Sequence, residues 1–222
     1  MQPIIILTLT VNINPNKDWV FQTNPKDRLE IYLKSIRNWL YKTNLSIILV
    51  DNSGYTFEEL KEEKEIFKHR MEIISFTENN LDEAKYLENN DSKGASELFS
   101  INYAFFHSQL INKDSFIIKI TGRFFIPEFE EYINQFDLNN YDCLIQNSSL
   151  DNGLRCEIVG SHYTKFFYIF NIFTITKNYQ FSIFIEQLYY ERTRMFKNIL
   201  ECKVFPIEET QRGGINQTFK EL

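Results

Sequence analysis

Apolar runs alternate with amphipathic stretches through the first two-thirds of the chain. Residues 4–10 and 47–50 are predominantly apolar runs typical of buried strands, and apolar residues recur at helical spacing between them. This pattern predicts strands at 4–11, 46–51, 71–76 and 115–121. It predicts helices at 27–42 and 93–111, and a further helix that begins with a capping box formed by Thr56 and Glu59. Strands that alternate with helices predict an α/β fold with a mostly parallel sheet flanked by helices.

The last third of the chain is less regular. It predicts a short helix at 127–136, a strand at 141–147, a long helix at 180–200 and a short strand at 203–207. Residues 155–176 are rich in β-branched and aromatic side chains, so strands of a mixed extension are expected there, with 166–175 as a buried strand. Neither a repeat nor a low-complexity linker interrupts the sequence, which favours a single domain over residues 1–222.

Charge and cysteine usage narrow the function classes. The formal net charge is −6 at pH 7, which argues against a nucleic-acid partner because such binding usually needs a basic face. The three cysteines and three histidines are dispersed without the spacing of a zinc motif, so reduced thiols are expected. The N-terminal apolar run is too short for a signal peptide or a membrane span. We therefore expect a soluble, cytoplasmic protein.

The first candidate site residue is Asp51, where the second predicted strand breaks into Asp-Asn-Ser-Gly. Ligands of α/β folds bind at the carboxyl edge of the strands, where neighbouring loops part. A carboxylate there can accept hydrogen bonds from a ribose hydroxyl or a base. The alternative is an ordinary turn, because these four residue types form good turns by themselves.

A second candidate constellation leaves the fourth predicted strand at the same edge. Lys119, Thr121 and Arg123 share one face of the strand, and Gly122 would let the backbone approach a ligand closely. The planar guanidinium of Arg123 suits a phosphate group. The alternative is a strand that ends in a glycine turn with a surface arginine.

Three further residues have weaker signals. Lys93 opens a predicted helix whose N-terminus would attract an anion, although an ordinary capped helix is the simpler interpretation. Arg212 precedes two glycines that could fold over a diphosphate, or could simply form a terminal loop. Glu186, near the start of the late helix, is the preferred candidate for a general base, although helical carboxylates are mostly solvated.

The arrangement of these residues along the chain resembles that of glycosyltransferases of the GT-A fold. That fold is built on a Rossmann-type mixed, mostly parallel sheet. The likeness covers about residues 4–130 and lies in the first strand, the Ile-Ile-Leu-Val-Asp-Asn-Ser-Gly turn and the strand ending Lys-Ile-Thr-Gly-Arg-Phe-Phe. The resemblance implies that Asp51 contacts the nucleoside, that Thr8 and Thr10 line the base pocket, and that the loop after the fourth strand faces the sugar diphosphate. It also implies a nucleotide-binding half of about 1–126 and an acceptor-side half of about 127–222.

The sequence departs from that family at one point. Many GT-A enzymes carry Asp-X-Asp after the fourth strand to hold Mn²⁺ or Mg²⁺, whereas this chain has Thr121-Gly122-Arg123. Arginine can neutralise a diphosphate electrostatically, so no metal ligand is assigned, although acidic residues of the preceding loop could still hold a metal: Asp82, Glu83 and Asp91.

The resemblance implies transfer of a sugar from a nucleotide-diphosphate sugar to a glycan or other hydroxyl acceptor, with Arg123 and Glu186 as catalytic residues. The departure equally allows a non-catalytic binding protein on the same scaffold. A Rossmann-type methyltransferase ranks last, because residues 11–26 contain no glycine for a phosphate-binding first turn.

Overall fold

The protein is built around one seven-stranded sheet with helices on both faces. A computed structural model describes residues 1–14, 17–18, 20–88, 90–146, 155–172 and 184–222. The strands are β1 Gln2–Leu9, β2 Ser46–Asp51, β3 Met71–Ser75, β4 Ser115–Thr121, β5 Cys143–Ile145, β6 Ile158–His162, β7 Ile199–Glu201, β8 Pro206–Gln211 and β9 Thr218–Glu221. The helices are α1 Pro25–Lys42, α2 Lys61–Ile66, α3 Lys93–His107, α4 Phe129–Ile133, α5 Phe166–Ile169 and α6 Ile185–Thr193.

The sheet brings the ends of its central strands to one edge. Its order is β3-β2-β1-β4-β6-β5-β7, and β3, β2, β1 and β4 are parallel, whereas β6 is antiparallel to both neighbours. Thr8 of β1 pairs with Val50 of β2 on one side and with Thr121 of β4 on the other. The carboxyl ends of these three strands are therefore level. The predicted mixed, mostly parallel α/β sheet is confirmed.

Successive side chains of the buried strands point to opposite faces of the sheet and pack into two separate hydrophobic cores. Ile5 and Leu7 of β1 pack with α1 on one face, whereas Ile4 and Ile6 pack with α3 on the other. Helix α1 is capped by Asn24, whose side chain accepts a hydrogen bond from the Lys26 amide and so satisfies one otherwise unpaired donor. Both faces of the central strands are buried, which explains why neighbouring positions along these strands are mostly apolar and do not alternate with polar ones.

Several predictions for the second half are wrong or need new bounds. The stretch at 166–169 is helix α5 rather than a strand, because Phe166 and Ile169, three apart, both reach the core. In the described part of 180–200 the helix spans only Ile185–Thr193, and a strand follows at Ile199–Glu201. The predicted strand at 203–207 begins at Pro206 and pairs with Thr218–Glu221 in a hairpin. Residues 147, 173–176 and 180–183 of the predicted elements lie outside the described residues.

Two predictions for the first half also change. The expected Thr56–Glu59 capping box is absent, because a short 3₁₀ turn at Glu58–Leu60 precedes α2 and the Thr56 hydroxyl donates to Glu58 instead. Helix α3 ends at His107 rather than at residue 111. In the described ranges, none of the helices has the length and apolar character needed to cross a membrane.

Candidate functional site

A cleft of about 790 Å³ opens at the carboxyl edge of the parallel strands. It is lined by the ends of β1 and β4, the turn after β2, the loop before α1, the starts of α3 and α6, and the loop between β8 and β9. This volume is within the usual range for small-ligand sites. Seven of the ten residues selected from the sequence line it: Thr8, Thr10, Lys93, Thr121, Arg123, Glu186 and Arg212.

Two buried arginines form one wall of the cleft. Arg28 and Arg123 are only 7% and 6% exposed. Arg28 donates from Nε to the Thr10 carbonyl and from Nη2 to the Tyr32 hydroxyl, each at 2.7 Å. The ring centroid of Tyr32 lies 5.5 Å from Cζ of Arg28 and 5.8 Å from Cζ of Arg123. The two cations therefore share one aromatic neighbour.

The protein partners of Arg123 are neutral. Its Nη1 donates to the side-chain oxygen of Gln22 at 2.9 Å and to the carbonyl of Gln211 at 3.0 Å. Within the described ranges, neither Arg28 nor Arg123 has a carboxylate within 4.0 Å. Burial lowers the pKa of Arg123, Tyr32 opposes that shift, and the nearby Arg28 lowers the pKa further. A buried cation without an anion costs folding free energy, which an anionic ligand would recover.

The hairpin of β8 and β9 covers Arg123. A Cβ atom on Gly213 would lie 2.5 Å from Nη2 of Arg123, so only glycine allows this approach. The Gly213 carbonyl accepts a hydrogen bond from the Phe21 amide at 2.9 Å, which joins the hairpin loop to the loop before α1. Arg212 lies over the Phe219 ring, with 4.7 Å from Cζ to the centroid, and its Nη2 is 3.5 Å from Glu157. The Arg-Gly-Gly segment is therefore part of the cleft wall.

Gly122 does not line the cleft. Its amide donates to the Thr8 carbonyl at 3.0 Å, and an added Cβ would lie 2.2 Å from Cδ2 of Leu9. The glycine is needed for the close approach of β4 to β1, and this packing accounts for it without the close approach to a ligand predicted from the sequence.

Gly122→Ala should therefore destabilise the fold by about 1–3 kcal/mol, the usual cost of overpacking a core. Thermal unfolding would measure the loss. Gly160→Ala serves as the graded control, because the nearest atom to its added Cβ is a Phe116 ring carbon at 3.1 Å. A loss at Gly122 no larger than at Gly160 would contradict this account.

Asp51 is fully buried and serves the turn after β2. Its Oδ1 accepts from the Ser53 amide, the Ser53 hydroxyl and the Tyr55 amide, and its Oδ2 accepts from the Val11 amide at 3.0 Å. Burial raises the pKa of Asp51, and these hydrogen bonds partly oppose the shift. Gly54 completes the turn at a φ of 80°. The nucleoside contact implied for Asp51 does not fit this burial, and Asn52 and Ser53 line the cleft instead.

Lys119 is also fully buried and lies beneath the cleft rather than in it. Its Nζ lies 2.8 Å from Oε1 of Glu97 and donates to the Thr121 hydroxyl at 3.0 Å and to the Cys156 carbonyl. Burial lowers the pKa of Lys119, but Glu97 and nearby acidic groups outweigh it and raise the pKa overall. The direct ligand contact predicted for Lys119 does not fit this burial and these protein partners.

Carboxylates occupy the wall formed by α3, α6 and the start of β6. Glu97, Glu157 and Glu186 all line the cleft. Glu186 is the second residue of α6, as predicted near the helix start, and its Oε1 accepts a hydrogen bond from the Cys156 thiol at 3.2 Å. Burial raises the pKa of Cys156 well above its usual value, so the thiol stays protonated and donates.

A further charged pair lies where the turn after β2 meets α3. Glu78 accepts from Nδ2 of Asn52 at 3.0 Å and from the Ser96 hydroxyl at 2.9 Å, and Nζ of Lys17 lies 3.3 Å away. Asn52 in turn accepts from the Thr10 hydroxyl at 2.7 Å. The hydroxyl of Thr10 is thereby held at the edge of the cleft.

The acidic loop residues do not converge. Asp82 and Glu83 are exposed and lie outside the cleft lining, and Asp82 pairs with Lys85 at 2.6 Å. Asp91 lines the cleft. In the portion of the chain that the structure describes, no three or more His, Cys, Asp or Glu side chains are grouped so as to hold a metal ion.

The sequence reasoning missed Arg28, Tyr32 and Glu97. Arg28 and Tyr32 are four residues apart on α1, and Ile36 continues the same buried face of the helix. Polar residues at the start of a buried helix face could have indicated that Arg28 and Tyr32 belong to a site. Glu97 shares a face of α3 with the buried Ile101. A carboxylate on a face that packs against the sheet was therefore visible in the spacing.

Comparisons with known proteins find likeness in structure alone. No family model matches the sequence, and no curated protein matches it. The glycosyltransferase GlyE of Streptococcus pneumoniae TIGR4 superposes with a TM-score of 0.52 at 8% identity, covering 91% of this chain and 45% of GlyE. The chain has the GT-A fold. TarS 1–349 of S. aureus gives 0.52 at 11% identity over 91% of this chain and 58% of that one. An active-site mutant of LgtC gives 0.51 at 7% identity over 89% and 71%.

The predicted GT-A-like architecture is thus confirmed at the level of fold. The chain spans about half the length of GlyE and somewhat more of the TarS fragment. In a GT-A fold, the cleft at the carboxyl ends of β1, β2 and β4 lies where ligands of open α/β sheets bind. At identities of 7–11%, the roles of residues in these proteins cannot be assigned to residues of this chain.

Proposed function

We propose that the cleft binds a nucleotide-diphosphate sugar and that the protein transfers the sugar to a hydroxyl of a glycan or other acceptor. The observation that carries this proposal is the buried pair Arg28 and Arg123, whose described partners are all neutral. A diphosphate supplies the anion that such a pair lacks, and planar guanidinium groups match phosphate oxygens. The exposed Lys93 at the start of α3 adds a helix N-terminus on the same cleft.

In the proposed reaction, the bond between the anomeric carbon and the diphosphate oxygen breaks, and the acceptor oxygen forms the new bond to that carbon. Glu186 takes the proton of the acceptor hydroxyl, since it lines the cleft and, among the described residues, accepts a hydrogen bond only from the Cys156 thiol, a weak donor. Arg123 and Arg28 stabilise the negative charge that develops on the leaving diphosphate. Thr8, Thr10, Thr121 and Arg212 supply polar contacts along the donor.

The described residues do not fit a metal site of the Asp-X-Asp type. The position after β4 carries Thr121-Gly122-Arg123, and no group of metal-binding side chains occurs in the described ranges. The buried arginines therefore neutralise the charge of the leaving diphosphate.

Binding of nucleoside diphosphates should occur without a divalent cation. We expect UDP, GDP, ADP or dTDP to raise the melting temperature in the presence of EDTA, with a gain of about 2–4 kcal/mol when the nucleotide is in large excess over its Kd. Added Mn²⁺ should increase the shift little, because the arginines already neutralise the diphosphate. A thermal-shift titration measures this directly.

Two other outcomes separate the alternatives. A shift that appears only with Mn²⁺ would contradict the role of the arginines. Nucleotide binding without release of diphosphate from any sugar nucleotide, alone or with acceptors, would indicate a non-catalytic binding protein on the same scaffold.

A further inference from the structure

The ion pair between Lys119 and Glu97 lies beneath the cleft, and its formation costs the free energy of desolvating the lysine, which an apolar pair would not require. Lys119 is 0% exposed and lies in a strand whose neighbours, Ile118 and Ile120, are equally buried. A lysine there must be desolvated, and replacing such pairs by apolar residues often leaves stability unchanged or higher. Packing alone therefore does not account for a lysine at this position.

All three donors of Lys119 are used. Its Nζ contacts Oε1 of Glu97, the Thr121 hydroxyl and the Cys156 carbonyl, which is the full capacity of an ammonium group. Lys119 has no donor left for a ligand. Its effect on the cleft must be transmitted through Glu97, the one partner that carries a charge.

Glu97 is held at two points and still faces the cleft. Its Oε1 is bound by Lys119, and its Oε2 accepts from the Thr8 hydroxyl at 3.2 Å. The side chain is 21% exposed and lines the cleft. A carboxylate has about four acceptor positions, so roughly two remain after these contacts. The geometry leaves a fixed, charged acceptor for two donors from a ligand.

In the proposed complex with a nucleotide-diphosphate sugar, Glu97 is nearer to the sugar than to the base. Lys119 joins Glu97 to Thr121, which is two residues before Arg123, whereas the turn after β2 is served by Glu78 and Asn52. If Arg123 contacts the diphosphate, groups beside the end of β4 are closer to the sugar than to the base. Neighbouring hydroxyls of a sugar ring are donors spaced to meet the two oxygens of one carboxylate.

We propose that Glu97 binds a pair of adjacent hydroxyls on the transferred sugar, and that Lys119 is the positioning residue that holds the Glu97 carboxylate in the orientation for this contact. The inference rests on the proposed function and adds the substrate class: a sugar with two free neighbouring hydroxyls and no carboxylate at that position. Glu157 and Glu186 line the same wall, so an acidic sugar would meet repulsion there.

The test compares each nucleoside diphosphate with its own sugar nucleotide by calorimetry: UDP with UDP-glucose, GDP with GDP-mannose, and ADP with ADP-glucose. The ratio of the two Kd values isolates the contribution of the sugar. The double variant Lys119→Met/Glu97→Gln removes both charges together, so no buried charge is left unpaired. Thr8→Val, a milder variant, removes only the hydroxyl that orients Oε2.

For the best-bound pair, we expect the wild-type protein to favour the sugar nucleotide and the double variant to reduce this preference about tenfold or more. Thr8→Val should reduce it less, and the double variant should leave the affinity for the nucleoside diphosphate alone unchanged. UDP-glucuronic acid should bind no better than UDP. A purely structural role would weaken both ligands equally and leave the ratio unchanged, which would overturn the inference.

Failure of the proposed function has a different signature. If no nucleoside diphosphate binds the wild-type protein, both the proposed nucleotide binding and the proposed role of Glu97 are wrong. If the nucleoside diphosphate binds but the sugar adds nothing, or the ratio survives the double variant, only the role of Glu97 and Lys119 falls.

Discussion

Arg123→Gln is expected to reduce sugar transfer about 10²–10³-fold, the usual cost of removing one group that stabilises developing charge. Nucleoside diphosphate affinity should fall as well, because the guanidinium contacts the diphosphate before and during the reaction. Turnover and calorimetry with the sugar nucleotide identified by thermal shift measure the two effects.

The same substitution should change stability little. Removal of the cation relieves the cost of burying a charge among neutral partners, while the glutamine amide can still donate to the Gln211 carbonyl. Arg194→Gln is the matched control, since Arg194 is exposed and lies outside the cleft lining. Unchanged turnover in Arg123→Gln would remove Arg123 from the mechanism.

Glu186→Gln should give a different profile. A general base acts on the acceptor, so its loss should reduce turnover while nucleoside diphosphate affinity is retained. Loss of nucleotide affinity in both variants would indicate that Glu186 belongs to the donor site instead.

Asp51→Ala is expected to destabilise the protein by about 3 kcal/mol or more. It leaves three buried or half-buried backbone amides, those of Val11, Ser53 and Tyr55, without their acceptor. Denaturant unfolding measures the loss as a lower midpoint at an unchanged slope.

Asp137→Ala is the control for Asp51, because Asp137 also accepts from a backbone amide, that of Asn139, but is exposed. Its loss should cost far less, since water can replace the acceptor. Normal stability of Asp51→Ala with lost nucleotide affinity would contradict the turn role and restore the nucleoside contact that the family resemblance implies.

Much of the first half could be predicted because local pattern and tertiary position agree there. Strands β1, β2 and β4 each contain at least three consecutive apolar residues, and such a run buried on both faces has few alternatives to a central parallel strand. The second half was harder. The short apolar stretch at 166–169 satisfies a strand or a helical turn equally well, and only packing of Phe166 and Ile169 into the α3 face of the sheet selects the helix.

In the candidate site, too, some features could be predicted from the sequence and others could not. Strand ends at one edge placed Thr8, Thr10, Thr121 and Arg123 in the cleft, as their positions predicted. Position along a strand says which edge a residue approaches, but not whether its side chain turns into the cleft or into the protein. Asp51 and Lys119 are polar residues at the correct edge that turn inward, because backbone amides and Glu97 there supply partners.

From the sequence by itself, the order of strands and helices in the first half, the edge at which the parallel strands end and the absence of Asp-X-Asp after β4 were determined, because each depends on local pattern and chain order. The tertiary structure alone decided which charges are paired. Arg28 comes from α1, Arg123 from the end of β4 and Gly213 from the C-terminal hairpin, and only folding brings these distant segments together. Whether a buried cation has an anion beside it depends on such long-range neighbours, and that single fact makes this cleft a candidate diphosphate site.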